Sequence, residues 1–327
     1  MSDLPLVTVL IPARNEAADI EACLRCIEAQ DYPHDRIEVV VVDGSSTDET
    51  SIVARRLLEG ADYSHTAVLL NREATTPSNL NVGLRYATGA VICRVDARTH
   101  IEPHYVRTCA AILSERPQVA VVGGAQRALA RDGSWRAVGI ARALNNRYSM
   151  GGSPYRRATV SGPSDTVYLG AFRRADLLAV HGWDERMLSN QDFDLNRRMA
   201  AQGTVWFEAS LQSAYVPRAR YEDLWSQYVR FGRAKVLYWR MSGDRPQPRQ
   251  RVLLSLPIVG VLVLALAGWR GRALPVAATG AIGLLGIERL GADQRRSGAG
   301  AHLGAVLAML CVGAGWTLGA YREALHR

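Results

Sequence analysis

Two stretches near the start of the chain, "LVTVLIP" and "RIEVVVVD", are apolar almost without interruption. A strand with one solvated face alternates apolar and polar residues, whereas a strand buried on both faces does not. Continuous Val/Ile/Leu strands therefore predict a parallel sheet covered by helices on both sides, and the intervening residues supply those helices. "ADIEACLRCIEAQ" has helical periodicity, as does "TDETSIVARRLLEG", where Ser46 and Glu49 are spaced as a capping box. "TAVLL" and "AVICRVD" continue as strands, with a helix around "SNLNVGLRYATG" between them. "PHYVRTCAAILSER", with Pro103 near its start, is a further helix, and "VAVVGGAQ" closes the series. The pattern is that of an α/β domain, without internal repeats or low-complexity segments.

Open α/β sheets bind ligands beyond the carboxyl ends of their strands. The first strand leads into Arg14, Asn15 and Glu16, the second ends at Asp43, and "AVICRVD" ends at Asp96. No G-x-G-x-x-G follows the first strand and no G-x-x-x-x-G-K-[ST] occurs, which argues against a dinucleotide dehydrogenase and a P-loop NTPase. Carboxylates at strand ends suit a nucleotide's base and ribose and a metal-bound diphosphate.

Beyond about residue 250 the chain changes character. "VLLSLPIVGVLVLALAGW" (252–269) and "HLGAVLAMLCVGAGWTLGAY" (302–321) are uncharged and long enough to cross a hydrocarbon core of about 30 Å. "ALPVAATGAIGLLGI" (273–287) is a shorter third candidate. The N-terminus enters a strand at once and has no secretory-signal pattern, so the large N-terminal part is expected in the cytoplasm. Basic flanks at 245–251 and 288–296 are expected on the cytoplasmic side, leaving "RGR" (270–272) as a tight external turn. The formal net charge of +8 over 327 residues gathers beside these spans, which favours membrane lipids and an anionic substrate and gives no nucleic-acid signature. Cys23 and Cys26 lie three apart in a helical run with no second ligand pair of metal spacing. They read as small buried side chains, not as a redox or zinc motif.

Five segments in order resemble family 2 glycosyltransferases over roughly residues 5–235. They are "VTVLIPARNEAADIEACL", "VVVVDGSSTDET", "NVGLRYATGAVICRVDA", "GWDERMLSNQDFDLNRRMAAQG" and "QYVRFGRAK". Within that family the chain is similar to membrane-anchored glucosyltransferases that extend lipid-linked repeat units of bacterial exopolysaccharides, such as the succinoglycan type. "SPYRRATVSGPSDTVYLGAFRRADL", "RVDAR" and the apolar C-terminus carry this finer likeness. The resemblance implies a GT-A nucleotide-sugar-binding, Rossmann-like domain over 1–235, a basic and aromatic juxtamembrane segment over 236–251, and about three transmembrane helices over 252–327.

It also implies roles. Glu16 and Asp43 would contact base and ribose, with Pro12, Arg14, Ser45, Asn81 and Arg98 in the same nucleotide-sugar site. Asp96 would lie at the diphosphate, directly or through Mg2+ or Mn2+. Asp192 would be the general base, and Gln191, Gln227 and Arg230 would face the acceptor or diphosphate. The partners implied by that resemblance are a nucleoside-diphosphate sugar, UDP-linked, and a polyprenyl-linked acceptor at the cytoplasmic membrane.

The chemistry needs little more. An inverting transfer requires one carboxylate to take the acceptor's proton. The departing diphosphate needs a cation, not an acid. Asp192 also suits the first turn of a helix as a plain N-terminal charge, while Asp194 is spaced to pair with Arg197 or Arg198. Two positions depart from the family pattern: Gln191 stands where Glu is usual, and Arg98 stands where the second Asp of Asp-x-Asp commonly binds metal. If the strand continues, residues 96 and 98 share a face. Arg98 is then expected to pair with Asp96 or contact the diphosphate, weakening or partly replacing the metal. His100 reads as a loop residue. The aromatic and basic run 221–240 suits a membrane-interface helix or one packed on the soluble domain. Rival readings are a polyprenyl-phosphate sugar synthase, for which Asp192 would matter less, and a non-catalytic membrane scaffold. A processive synthase fits less well, because Phe231 stands where such enzymes carry Trp.

Overall fold

The computed structural model describes residues 4–149, 159–269, 273–291 and 298–326. It divides into two compact units, one of 1–127 with 154–215 and the other of 128–153 with 216–327.

The first unit is built on β1 (Val7–Ala13), α1 (Ile20–Glu28), β2 (Ile37–Asp43), α2 (Thr50–Leu58), β3 (His65–Leu70), α3 (Thr76–Tyr86) and β4 (Val91–Arg94). Then come β5 (Thr99–Ile101), α4 (Tyr105–Glu115) and β6 (Val119–Ala128), whose last residue enters the second unit. The unit resumes with β7 (Gly162–Pro163), β8 (Tyr168–Arg173), α6 (Arg174–Ala179), α7 (Gln191–Met199) and β9 (Thr204–Tyr215). All seven residues of β1 and of β2 are buried, as continuous apolar strands require. Val7, Val9 and Ile11 pack on one side with Cys23 and Ile27 of α1 and with Cys109 of α4. Leu10, Val40 and Val42 pack on the other with Leu80 and Leu84 of α3. Cys23 is thus core, and burial raises its thiol pKa far above the usual range.

The sheet order is β3-β2-β1-β4-β8-β6-β9-β5, with β7 pairing β9. β3, β2, β1 and β4 pair in parallel. β8 inserts antiparallel between β4 and β6, so the expected all-parallel sheet is corrected to a mixed one. β8 escaped the sequence pattern because its apolar run is short and broken by Gly170, where Leu169 and Gly170 take positive φ of 65° and 93° that an extended strand does not. β9 escaped it because its exposed and buried residues alternate imperfectly with Glu208, Ser210 and Gln212.

The second unit contains α5 (Trp135–Asn145), α8 (Tyr221–Ser242), α9 (Pro248–Trp269), α10 (Ala273–Gly291) and α11 (Ala299–Leu325). Glycines set its closest packing: a Cβ on Gly232 of α8 would stand 1.9 Å from the Trp316 carbonyl oxygen, and one on Gly319 of α11 would stand 2.0 Å from that of Val229. A Cβ on Gly139 of α5 would stand 2.5 Å from the Gly304 carbonyl carbon. α8 packs along α11 within this unit: Leu224 and Tyr228 are buried with Ala305, Ala308 and Val312, and Trp225 stays partly exposed. A wholly buried Glu288 on α10 pairs with Arg142 of α5 and with His302 of α11 at 2.7 Å. Residues 128–149, expected within the N-terminal domain, thus group with the C-terminal helices. Among the described residues, helices 250–269 and 299–325 are long and apolar enough to cross a membrane. The expected 270–272 turn and most of the 288–296 loop lie outside the described residues.

Candidate active site

Two loops at the carboxyl ends of β1 and β2 are woven together by side chains. Asn15 and Ser45 take left-handed backbone conformations, φ 54° and 55°, at a cost of roughly 1 kcal/mol or more each that the surroundings must offset. The Asn15 amide donates to Ser46 Oγ at 2.8 Å, and its own Oδ1 accepts from Thr47 N at 2.8 Å. The Glu16 amide donates to Thr50 Oγ1 at 2.8 Å. Asp43 is buried, and its Oδ1 accepts from Ser46 N at 3.0 Å and Ser46 Oγ at 2.5 Å. Ser46 therefore serves Asp43 and not a capping box. At the start of α2 the helix is held instead by Asp48, which accepts from Thr50 N and Thr50 Oγ1 at 3.0 and 2.5 Å.

Beneath these loops lies an amide network that sequence reasoning missed. Asn79 donates to the Ala13 and Val42 carbonyls at 3.4 and 3.3 Å, and Asn71 donates to Asn79 Oδ1 at 2.8 Å and Ser78 Oγ at 2.6 Å. Gly44 sits so close that a Cβ there would stand 2.8 Å from the Asn79 amide nitrogen. Ser45 Oγ donates to the Asn71 carbonyl at 3.0 Å. The available signal was an Asn cluster in the helical pattern "SNLN", since buried amides need several partners.

Pro12 is buried in β1, and Arg14 is exposed with Nη1 on the Ala74 carbonyl at 3.1 Å. Asn81 is buried elsewhere: it donates to the Trp183 carbonyl and Glu185 Oε1, both at 2.8 Å, and accepts from Trp183 N at 2.9 Å. Its amide thus fixes the loop that leads into α7.

The strand does not continue through 98. β4 ends at Arg94 and the chain turns, the Thr99 amide donating to the Asp96 carbonyl at 2.8 Å. Arg98 accordingly leaves Asp96 and pairs with Glu16 at 3.1 Å, its guanidinium 5.3 Å above the Tyr215 ring. Burial works against the charge of Arg98, and Tyr215, Glu16 and Asp96 more than offset it, raising its pKa.

The partner of Asp96 is Arg94, whose Nε donates to Asp96 Oδ1 at 2.8 Å. Arg94 Nη1 donates to Asp192 Oδ1, across 98 residues of sequence. One guanidinium therefore bridges the end of β4 and the first turn of α7. Asn190, at φ 62°, turns the chain into that helix, and Gln191 is buried just before Asp192. The described partner of Asp192 is Arg94. The Asp192 side chain is half-exposed, and what desolvation its carboxyl suffers raises its pKa, Arg94 pulls it down and Asp96 pushes it up, leaving a net rise. Asp194, as its spacing predicts, pairs with Arg198 at 2.8 Å.

Gln227 and Arg230 lie on α8 in the second unit. Burial and the neighbouring Arg218 lower the Arg230 pKa against the pull of Asp223. Among the described residues no three His, Cys, Asp or Glu side chains form a group that could hold a metal ion. Asp96 is one carboxylate of the usual pair and already accepts from Arg94, while Glu16 is paired with Arg98. Two fixed guanidinium charges oppose a third cation in the same cluster. This donor set does not fit a divalent ion held by the resting protein.

Comparison with known proteins agrees with this architecture. Residues 8–174 match the model of the family described as Glycosyl transferase family 2. The succinoglycan biosynthesis protein ExoA of Rhizobium meliloti (strain 1021) is 28% identical over 322 residues, covering 97% of this chain and 94% of that protein. A dolichyl N-acetyl-alpha-D-glucosaminyl phosphate 3-beta-D-2,3-diacetamido-2,3-dideoxy-beta-D-glucuronosyltransferase of Methanococcus voltae is 25% identical, covering 79% of this chain and 83% of that one. The mannosyltransferase PcManGT of Pyrobaculum calidifontis, solved with GDP-Man and Mn2+, superposes with a TM-score of 0.66 at 21% identity, covering 100% of this chain and 89% of that one. The fold is the mixed α/β GT-A type.

Proposed function

Since the chain belongs to glycosyl transferase family 2, we propose that it is an inverting enzyme that moves a hexose from a nucleoside-diphosphate sugar, UDP-linked, to a lipid-linked saccharide. The reading places it in exopolysaccharide or envelope-glycan synthesis, as a multi-pass protein of the cytoplasmic membrane with its catalytic unit in the cytoplasm. The division into a transferase domain over 1–235, a juxtamembrane segment over 236–251 and membrane helices over 252–327 goes with it, and 128–149 joins the membrane part.

The observation that carries the reading is the Arg94 bridge, which brings the Asp192 carboxylate beside Asp96. In this reading Asp43 and Glu16 receive base and ribose beside Pro12, Arg14 and Ser45. The diphosphate lies by Asp96 and Arg98, while Asn81 steadies the loop before the base. Asp192 takes the proton of the attacking hydroxyl, and its raised pKa brings it nearer to the operating pH, where proton transfer is most effective. Gln191, Gln227 and Arg230 are assigned to the acceptor or diphosphate. Relatives named for dolichyl and undecaprenyl-phosphate compounds support a lipid-linked acceptor. A divalent ion, Mg2+ or Mn2+, would enter only with the nucleotide, and on it no step depends here.

The test is to supply membranes containing the protein with labelled nucleotide sugars and polyprenyl-linked acceptors, and to extract the lipids. Label in a lipid-linked oligosaccharide, reduced about 10²- to 10⁴-fold in Asp192→Asn, is the expected result. Transfer to bare polyprenyl phosphate that survives Asp192→Asn would identify a sugar-phosphate synthase instead, because phosphate needs no base. No transfer from any donor would leave a scaffold.

A further inference from the structure

Arg94 opens the "RVDAR" segment but was given no role by the sequence, and its position is costly. It closes a strand whose four residues are all buried, and its side chain is 3% exposed. An unpaired guanidinium there would be prohibitive, since a buried charge survives only when paired and hydrogen-bonded. Arg94 has two carboxylate partners, both shallower than itself: the Asp192 side chain is 41% exposed and that of Asp96 32%. The guanidinium is the buried floor, and the carboxylates stand on it with accessible surface. A divalent ion shared by two carboxylates would occupy such a place from the open side. Here a cation is already supplied from within the sheet.

We propose that Arg94 is a built-in cation, standing between Asp96 and Asp192 in place of a resident divalent ion and holding Asp192 in position as the base. The last clause rests on the transferase reading; the first does not. Arg94 touches neither sugar nor acceptor in this scheme and is a positioning residue. Its charge balances one of the two carboxylates that stand side by side. Its rigid planar fork fixes the direction of Asp192 Oδ1 in a way that a flexible ammonium would not.

The experiment uses the purified full chain in lipid nanodiscs, without nucleotide, titrated with Mn2+ and followed by the electron paramagnetic resonance signal of the free ion. The wild type is expected to leave the signal undiminished. Arg94→Met, which frees both carboxylates, is expected to bind Mn2+, and Arg94→Met combined with Asp96→Asn to lose that binding. Arg94→Lys keeps the charge and is expected to bind none. Stoichiometric Mn2+ binding by the nucleotide-free wild type overturns the proposal whether or not any variant folds. Folded Arg94→Met with no gain in binding also overturns it.

In the transfer assay Arg94→Met is expected to lower kcat roughly 10²-fold with donor KM changed less than about threefold, as for a group that acts on the base alone. A rise in donor KM at unchanged kcat would refute the positioning role. Absence of transfer by the wild type would defeat the functional reading while the Mn2+ titration still judged Arg94.

Discussion

The strand ends of the first unit and the helices of the second are held by opposite means. In the first, position is set by side-chain amides, hydroxyls and carboxylates: Asn71, Ser78 and Asn79 lie under the loops, Ser46 on Asp43, and Arg94 under Asp96 and Asp192. In the second, position is set by the absence of side chains, as Gly139, Gly232 and Gly319 let backbones meet. Hydrogen bonds are directional and fix orientation, which a reacting centre needs. Close contact between glycines fixes distance and suits helices in an apolar setting, where small residues let backbones approach. Glu288 with Arg142 and His302 is a polar exception among the helices, and Glu323 with Arg233 and Arg240 is another.

The contrast is most easily broken at the glycines. Gly319→Leu is expected to cost the second unit about 3 kcal/mol or more, because the obstruction is the Val229 backbone, which cannot rotate away. Thermal unfolding in detergent would register it, and a tolerated leucine would mean the helices are not so close. Asn79→Ala comes next, at about 1–3 kcal/mol, because it strands buried carbonyls and the Asn71 amide. Its extra signature is weakened nucleotide binding by calorimetry as the loops relax, and a stability loss without any binding loss would remove the network from the site.

The pH dependence should sharpen the distinction further. A base works when ionised, and the Asp192 pKa is raised from 3.8. The acid limb of kcat/KM should therefore fall at a higher pH than an ordinary aspartate gives, with activity rising as pH rises through it. The folded state holds that proton more tightly than the unfolded, so ionisation of Asp192 subtracts stability as pH climbs from 3.8 through the folded value. A limb at or below 3.8 would mean that the pull of Arg94 outweighs partial desolvation and Asp96 together. Smallest of all, Asp194→Ala should cost about 0.3–0.5 kcal/mol and leave kcat unchanged, since its pair with Arg198 is a partly solvated i,i+4 bridge. A kcat loss comparable to that of Asp192→Asn would show that the two aspartates had been assigned the wrong way round.

How legible these features were follows from what each one depends on. β1 and β2 could be read because burial on both faces leaves an unbroken apolar run. The Asp194–Arg198 pair could be read because helical spacing alone creates it. Arg98 was misplaced because its pairing turns on where β4 stops, and element ends are poorly marked by pattern. Arg94 went unnoticed for a similar reason. Its partners lie two and 98 residues away, and only the fold brings the second one in. The signal was there as a charge inside an otherwise apolar strand, a residue almost never fully buried unless paired. The helix at 135–145 looked like any amphipathic segment, and what it packs on is a matter of tertiary contact.

That helix has a consequence for how the molecule is made. Its buried face, with Ile140, Ala143 and Leu144, is completed by Ala305, Ala308 and Val312 of the last helix. During synthesis the segment leaves the ribosome long before its cover exists, and the strands that follow it in sequence can pair sooner. The nascent chain must carry an apolar surface through about half of its own production, at the stage when exposed surface invites aggregation. Early docking at the bilayer, or a chaperone that holds the segment until the final span is threaded, would shelter it.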